Sequence, residues 1–170
     1  MERHRHVAVT IRLPDGAKLR VRSLGPRDLA RLRRFFYRLS PETVYRRFWN
    51  PIPDPPPALG RQLLRIDHDR VEALAGFDGN EIVGVVRYAR EGESADVAMV
   101  VADDWQHRGL SKLLMERLSD MARERGVRAF VAETQADNRP VLSFWTHLDP
   151  KPRLERHGNT VQAIIPLQLR

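Results

Sequence analysis

A chain of 170 residues, 42% apolar and 30% charged, is long enough to bury one core, and we expect residues 1–170 to form a single domain. The absence of cysteine excludes disulfide bonds, a thiolate nucleophile and thiolate metal ligands. No apolar run approaches the roughly 20 residues of a membrane span, and the basic N-terminus lacks the apolar segment of a secretory signal. We therefore expect a cytoplasmic protein without a membrane partner.

The net charge of +7 is unevenly distributed along the chain. Residues 1–70 carry 16 Lys and Arg against 7 Asp and Glu, whereas residues 71–170 carry 13 against 15. A basic region can attract polyanions, but these arginines are interleaved with apolar residues and not arranged in blocks, which is typical of an arginine-rich proteome. A nucleic-acid partner is not expected, because the sequence has no recognition motif and no interleaved aromatic residues for base stacking. His4 and His6 lie at the chain start, where a flexible terminus is the simpler interpretation, so we predict no metal site.

The first part of the chain predicts a β-hairpin followed by helices. Two alternating segments flank Pro14-Asp15-Gly16, a sequence typical of a turn. Ser40 and Pro41 suit the N-cap and first residue of a helix. The predicted elements are strands at 7–13 and 17–23, a helix opening at Pro26, a second short helix from Pro41, a rigid proline-rich loop at 50–57 and a short helix at 59–66.

The second part predicts a mixed sheet. Strands at 71–77, 81–90 and 95–102 are joined by short turns and indicate an antiparallel meander. A helix at 111–125 and a strand at 128–134 then form a strand–helix–strand unit, which implies a parallel pair. A last helix at 141–147 and strands at 153–157 and 160–167 complete the chain. The fold class is α/β (α+β): a mixed, mostly antiparallel sheet of six to seven strands with a central parallel pair and about four helices.

The stretch from Asp96 to Arg125 carries the clearest functional signal. The apolar run Val97–Ala102 stops at a polar turn, and an amphipathic helix begins near Leu110 or Ser111. The first backbone N–H groups of a helix have no partner inside the helix, and the helix dipole adds partial positive charge there. A strand that ends in an open turn before a helix is therefore a candidate phosphate site.

The turn reads Gln106-His107-Arg108-Gly109-Leu110-Ser111, with Asp-Asp-Trp before it and Asp137-Asn138 after the next strand. In this context it resembles the acetyl-CoA motif Gln/Arg-x-x-Gly-x-Gly/Ala of the GCN5-related N-acetyltransferases, the GNAT superfamily. Ser111 departs from the sixth position but is also small. The resemblance extends from Leu13 to Leu167.

The N-terminal part resembles, more narrowly, the acetyltransferase domain of bacterial protein lysine acetyltransferases. The resemblance rests on the segments Leu13-Pro14-Asp15-Gly16, Arg22-x-Leu24-x-Pro26-x-Asp28, Leu39-Ser40-Pro41-Glu42 and Tyr45-x-Arg47-Phe48.

The resemblance implies acetyl-CoA as the co-substrate. It implies that the pyrophosphate is held at Gln106, His107, Arg108, Gly109, Leu110, Ser111 and Lys112, mainly by backbone N–H groups, with charge added by Arg108 and Lys112. Val100 and Val101 occupy the positions whose backbone bonds the pantetheine arm. Asn138 occupies the position of a CoA-contacting Asn; the alternative is a helix N-cap.

The resemblance also suggests how protons are handled. Asp96 stands ten residues before Gln106, where related lysine acetyltransferases have a general-base Glu, and burial beside the apolar strand would raise its pKa. The alternative is an exposed Asp at a strand edge. The family's general-acid Tyr is replaced by Trp145, which cannot serve as an acid, so the CoA thiolate leaves unassisted or the acid role is absent.

These observations predict an acetyl-CoA-dependent N-acetyltransferase. The expected acceptor is a protein lysine in preference to a small amine. The alternative is a GNAT-fold protein that binds acyl-CoA as a sensor or interaction module, with little or no catalysis. Either a monomer or a homodimer is compatible with the sequence.

Overall fold

The computed structural model describes residues 8–167. Its eight strands are β1 (Val9–Arg12), β2 (Lys18–Ser23), β3 (Val71–Asp78), β4 (Glu81–Glu91), β5 (Ser94–Val101), β6 (Ala129–Gln135), β7 (Arg153–His157) and β8 (Thr160–Pro166). Its five α-helices are α1 (Leu29–Arg38), α2 (Pro41–Phe48), α3 (Pro57–Leu63), α4 (Leu110–Glu124) and α5 (Arg139–Thr146). The fold class is confirmed, whereas the predicted totals of strands and helices were each too low. The histidines at positions 4 and 6 lie outside the described residues.

The strands form one sheet in the order β1-β2-β3-β4-β5-β6-β8-β7. Neighbouring strands are antiparallel except β5 and β6, so the predicted parallel pair is confirmed. Helix α4 makes the crossover between them, as a parallel connection requires. The tight turns at Gly16, Gly79 and Gly92 all need positive φ, which explains why short hairpins were predictable here. Within residues 8–167 no helix has the length and apolar character needed to cross a membrane.

Apolar side chains cover both faces of the sheet. On one face α4 packs with Leu110, Leu114 and Leu118, each at most 1% exposed. On the other face α1 and α2 contribute a second cluster that includes Leu32, Phe35 and Val44. The N-terminus of α2 is capped as predicted, because the Ser40 hydroxyl accepts a hydrogen bond from the Thr43 amide.

Strands β5 and β6 pair over a short distance only. Their parallel register covers Ser94–Asp96 against Ala129–Val131, although β5 continues to Val101 and β6 to Gln135. Beyond Asp96 the pairing of β5 with β6 stops, whereas β6 stays paired with β8 over its whole length, from Ala129 to Gln135. The two strands therefore diverge in the middle of the sheet, and a cleft opens between them.

Candidate active site

The cleft has a volume of about 820 Å³, which lies within the range of ligand-binding pockets in proteins. Its walls are β5, β6, the turn before α4, and residues of α2 and α5. Of the predicted site residues, nine line the cleft: Asp96, Val100, Val101, Gln106, His107, Gly109, Ser111, Lys112 and Asn138. Arg108 and Leu110 do not belong to this lining.

The N-terminus of α4 opens towards this cleft without a side-chain cap. Gly109 occupies the N-cap position with φ +86, in the left-handed region, and a Cβ added there would lie 3.1 Å from Pro14 Cδ. The first helical bond runs from the Leu113 amide to the Gly109 carbonyl. The amides of Leu110, Ser111 and Lys112 consequently have no partner within the helix, and such free amides can bind an anion.

The residues of this turn differ in what their side chains can offer. Leu110 is only 1% exposed and packs against Gly84, so it contributes its backbone alone. Arg108 donates to Asp15 at 2.6 Å and stacks on the Trp105 ring at 4.0 Å. Hydrogen bonding from the backbone, and then from Arg108, lowers the pKa of Asp15. The Arg108 guanidinium is thus engaged at the β1–β2 turn, which leaves Lys112 as the turn's cationic side chain in the cleft.

The Gln106 side chain fixes the turn in place. Its Nε2 donates to the Val101 carbonyl at 3.0 Å and approaches Thr43 Oγ1 at 3.4 Å. Asp103, just before the turn, accepts hydrogen bonds from the Ser40 amide at 2.8 Å, the Ser40 hydroxyl at 2.6 Å and the Thr43 hydroxyl at 2.8 Å. The role of Asp103 was not predicted. Its bonds join the start of α2 to the turn and so connect two walls of the cleft.

The hydrogen-bond alternation of β5 decides which backbone groups face the cleft. The Ala102 amide donates to the Val83 carbonyl on β4. In an antiparallel ladder, residue pairs that exchange hydrogen bonds alternate with residue pairs that do not. The backbone of Val100 is therefore hydrogen-bonded to Val85, whereas the backbone N–H and C=O of Val101 point away from β4. The prediction for the Val100 backbone therefore needs correction: Val100 offers its side chain, whereas Val101 offers its backbone to the cleft.

The same alternation identifies Met99, which was not among the predicted site residues. Met99 is two residues before Val101, so its backbone also points towards the gap, beyond the last residue pair of β5 and β6. The Val101 carbonyl is used by Gln106. The amides of Met99 and Val101 are therefore the groups that a bound arm could meet along this edge.

Asp96 lines the cleft, but its side chain is exposed. The expected burial is not found, because alternate side chains of β5 point to opposite faces of the sheet and residues 8–167 leave the Asp96 side chain uncovered. Glu133 on β6 is exposed on the same face of the sheet and also lines the cleft. Asp96 and Glu133 thus place two exposed carboxylates on this face of the sheet, and these favour a cationic ligand.

The α5 side of the cleft has no phenolic hydroxyl. Asn138 stands at the N-cap of α5 without capping it, and its Nδ2 donates to Thr134 Oγ1 at 2.9 Å. Trp145 is 3% exposed and forms part of the wall. The tyrosines of the chain lie at positions 37, 45 and 88, all within the described residues and none in the lining of the cleft.

Comparisons with known proteins agree with this geometry. The profile of the Acetyltransferase (GNAT) family matches residues 32–149. An acetyltransferase of Pseudomonas aeruginosa is 39% identical over 151 residues, which are 81% of each chain. Acetyltransferase Pat of Mycolicibacterium smegmatis is 30% identical over 135 residues, which are 76% of this chain but 40% of that protein.

A solved structure supports the same assignment. The GNAT domain of PAT from S. lividans superimposes with a TM-score of 0.88 at 30% identity, covering 94% of this chain and 97% of that domain. Its similarity extends over the diverging strands and the α4 turn, because nearly all of both chains is matched. The chain therefore belongs to the Acetyltransferase (GNAT) family and is an N-acetyltransferase.

Proposed function

We propose that this N-acetyltransferase uses acetyl-CoA and transfers the acetyl group directly to the side-chain amine of a protein lysine. The observation that carries the proposal is the gap between β5 and β6, which connects the free amides at the start of α4 with Asp96. The pyrophosphate would bind at Gly109–Lys112, and the pantetheine arm would run along the amides of Met99 and Val101. A cytoplasmic location, a single domain and a monomer or homodimer belong to the same proposal.

The proposed chemistry is a direct displacement. Asp96, or a water molecule bound to it, accepts a proton from the acceptor ammonium, and the neutral amine attacks the thioester carbonyl. A backbone amide of β5 stabilises the charge on the carbonyl oxygen. The C–S bond then breaks, the nitrogen releases its second proton to solvent to give the amide, and CoA leaves as a thiolate, which takes a proton from solvent because no tyrosine lines the cleft.

The acceptor side of the cleft supports a polypeptide acceptor. Glu42, Asp96 and Glu133 line it and would attract an ammonium group. Trp49 also lines it with 38% of its surface exposed, and Tyr45 on α2 is 44% exposed. Exposed aromatic residues beside an open cleft are typical of protein-binding surfaces.

The proposal is tested by measuring thiol release from acetyl-CoA over small amines and lysine-containing peptides, with mass spectrometry of the products. We expect acetylated lysine in the peptide and a higher kcat/KM for peptides than for simple amines. Higher activity on small amines would contradict the lysine assignment.

The alternative is a protein that binds acyl-CoA as a sensor and has little or no catalysis. No tyrosine lines the cleft, so the family's general acid is missing there, which is compatible with this alternative. It predicts saturable binding of CoA without turnover on any acceptor.

Gly109→Ala is expected to raise the KM for acetyl-CoA and to lower stability by about 1–2 kcal/mol, because alanine disfavours the left-handed conformation. The added methyl group would also press on Pro14 and displace the turn. Gly16→Ala is the matched control, since Gly16 also has positive φ (+90) but has nothing within 4 Å of an added Cβ. Equal KM values in the two variants would contradict a cofactor role for the α4 turn.

A further inference from the structure

A second cavity, of about 50 Å³, lies beside the cleft, between the sheet and helices α1, α2 and α3. Side chains such as Leu32, Phe35 and Phe48 form its roof, and β3, β4 and β5 form its floor. Two arginines, Arg47 and Arg87, also belong to the lining. The exposed lining is almost wholly apolar, so these arginines contribute the carbon atoms of their stems rather than their guanidinium nitrogens. The cavity therefore suits an apolar ligand group and not a charged one.

Small side chains in one row of the sheet leave this space open. Ala73 on β3, Arg87 on β4 and Ala98 on β5 lie directly opposite one another, so their side chains share one face. Two alanines in this row cannot fill the distance to the helices above them, whereas protein interiors are otherwise closely packed. Val85, Ala98 and Val100 are only half-buried, although they face the helices. An accessible apolar floor inside a recess is typical of ligand-binding pockets.

The cavity adjoins the cleft along β5. Ala98 and Val100 line both spaces. Along the strand they alternate with Met99 and Val101, whose amides point into the gap towards β6. Ala98 also lies on the same face of β5 as Asp96, two residues away. An acyl group on a thioester that these amides hold would therefore lie beside Ala98, at the border of the cleft and the cavity.

We propose that this cavity receives the hydrocarbon tail of an acyl-CoA longer than acetyl-CoA. The inference rests on the proposed use of a CoA thioester and adds the class of its acyl group, a short straight chain. The route from the cleft is short, because Ala98 is small and β4, which lies under the cavity, is only about 4.8 Å from β5.

Such thioesters would serve as donors in the same reaction. The amine nitrogen forms a bond to the acyl carbon, and the C–S bond breaks. The acceptor ammonium gives up two protons in all, and the CoA thiolate takes up one. The tail takes no part in these bond changes, so the cavity acts on the affinity for the donor and not on the chemical step.

The cavity volume limits the length of the tail. A water-sized group needs about 10–15 Å³ of such space, so about 50 Å³ accommodates roughly three to five groups of that size. The two carbons by which butyryl exceeds acetyl fit this limit, whereas the eight additional carbons of decanoyl exceed it. Each buried methylene raises affinity roughly fourfold, so butyryl-CoA is expected to bind roughly tenfold more tightly than acetyl-CoA.

Calorimetric titration with a series of acyl-CoA thioesters, in the absence of an acceptor, tests the cavity directly. The Kd should fall from acetyl-CoA through propionyl-CoA to butyryl-CoA and rise again for decanoyl-CoA. Equal Kd values for acetyl-CoA and butyryl-CoA would overturn the proposal. A Kd that continues to fall as far as decanoyl-CoA would also overturn it, because a space of this size cannot hold that tail.

Leu63→Phe is expected to remove most of the preference for butyryl-CoA, because the larger ring occupies the cavity from the side of α3. Leu63 does not line the cleft, so the Kd for acetyl-CoA should stay nearly unchanged. Ala73→Val fills the cavity from its floor and should act in the same direction. Leu142→Phe is the matched control, since Leu142 is a half-buried leucine on α5 that lines neither space, and it should keep the full preference. A full preference in both cavity variants, each with a thermal midpoint near that of the wild type, would assign the tail to another site and overturn the proposal.

Turnover separates this inference from the proposed function. With a lysine peptide, mass spectrometry should detect propionyl-lysine and butyryl-lysine, and Leu63→Phe should lower kcat/KM for butyryl-CoA roughly tenfold while leaving that for acetyl-CoA unchanged. A protein that binds butyryl-CoA through the cavity but acylates no amine would support the cavity site and contradict the enzymatic proposal. A protein that acetylates lysine but gains no affinity from a longer tail would support the proposed function and overturn the cavity site.

Discussion

We expect Asp96→Asn to lower kcat by about 10²- to 10⁴-fold, the usual contribution of a general base, while the affinity for acetyl-CoA stays nearly intact. Asp96 is exposed and makes no hydrogen bond or ion pair within residues 8–167, so the substitution should leave the free energy of unfolding unchanged. The loss should shrink as the pH rises towards the lysine pKa of about 10.4, because the acceptor then deprotonates without help. Steady-state kinetics over a pH series measures both effects.

Glu133→Gln is the matched control for Asp96, because it removes another exposed carboxylate from the same cleft. It should weaken the binding of a cationic acceptor with little change in kcat. Unchanged turnover in Asp96→Asn would remove Asp96 from the mechanism. A comparable fall in kcat in both variants would indicate that the cleft acts through its overall charge.

Asp28→Ala is expected to lower the free energy of unfolding by about 3–5 kcal/mol, the cost of breaking a buried ion pair. The Asp28 side chain is 4% exposed, and both of its oxygens accept hydrogen bonds from Arg22 at 2.8 Å. One oxygen also accepts from the Gly25 amide at 3.0 Å. This ion pair links the start of α1 to β2. The substitution therefore removes the carboxylate partner of Arg22 and the contact that holds the start of the helix against the sheet. Chemical denaturation at neutral pH measures the loss.

The same pair gives stability a defined pH dependence. Burial alone would raise the pKa of Asp28, but hydrogen bonds from Arg22 and the Gly25 amide outweigh it and lower the pKa below its usual value. The stabilisation is therefore present above the pKa of an unfolded Asp, about 3.9, and is lost as the pH falls through the lower folded-state value. The stability difference from Asp28→Asn should be constant near neutral pH and shrink in acid. A difference that persists in acid would contradict the ion-pair explanation.

The elements that sequence patterns predicted well are those specified by neighbouring residues. The hairpins follow from glycines that adopt positive φ, and α2 begins where Ser40 caps it. The α4 turn was recognisable because an apolar run, a polar turn and an amphipathic helix follow one another between Asp96 and Arg125. Helix α5 begins at Arg139, two residues before the predicted start, since Pro140 is accepted in a first helical turn.

The site was predicted less completely, because its side chains are oriented by distant residues. Arg108 was expected at a phosphate, but its guanidinium pairs with Asp15, 93 positions away. Asp96 was expected to be buried, yet strand periodicity identifies only a face of the sheet and not whether that face is covered. The choice between Val100 and Val101 needed the pairing register with β4.

By itself, the sequence determined the order of strands and helices, the parallel pair and the polar turn that precedes α4, because turn residues, caps and hydrophobic periodicity act over a few positions. Only the tertiary structure decided that β5 and β6 diverge after Asp96, which opens the cleft. It also decided that Arg47 and Arg87 meet in one cavity. These features depend on packing between residues far apart in the chain, which local patterns do not encode.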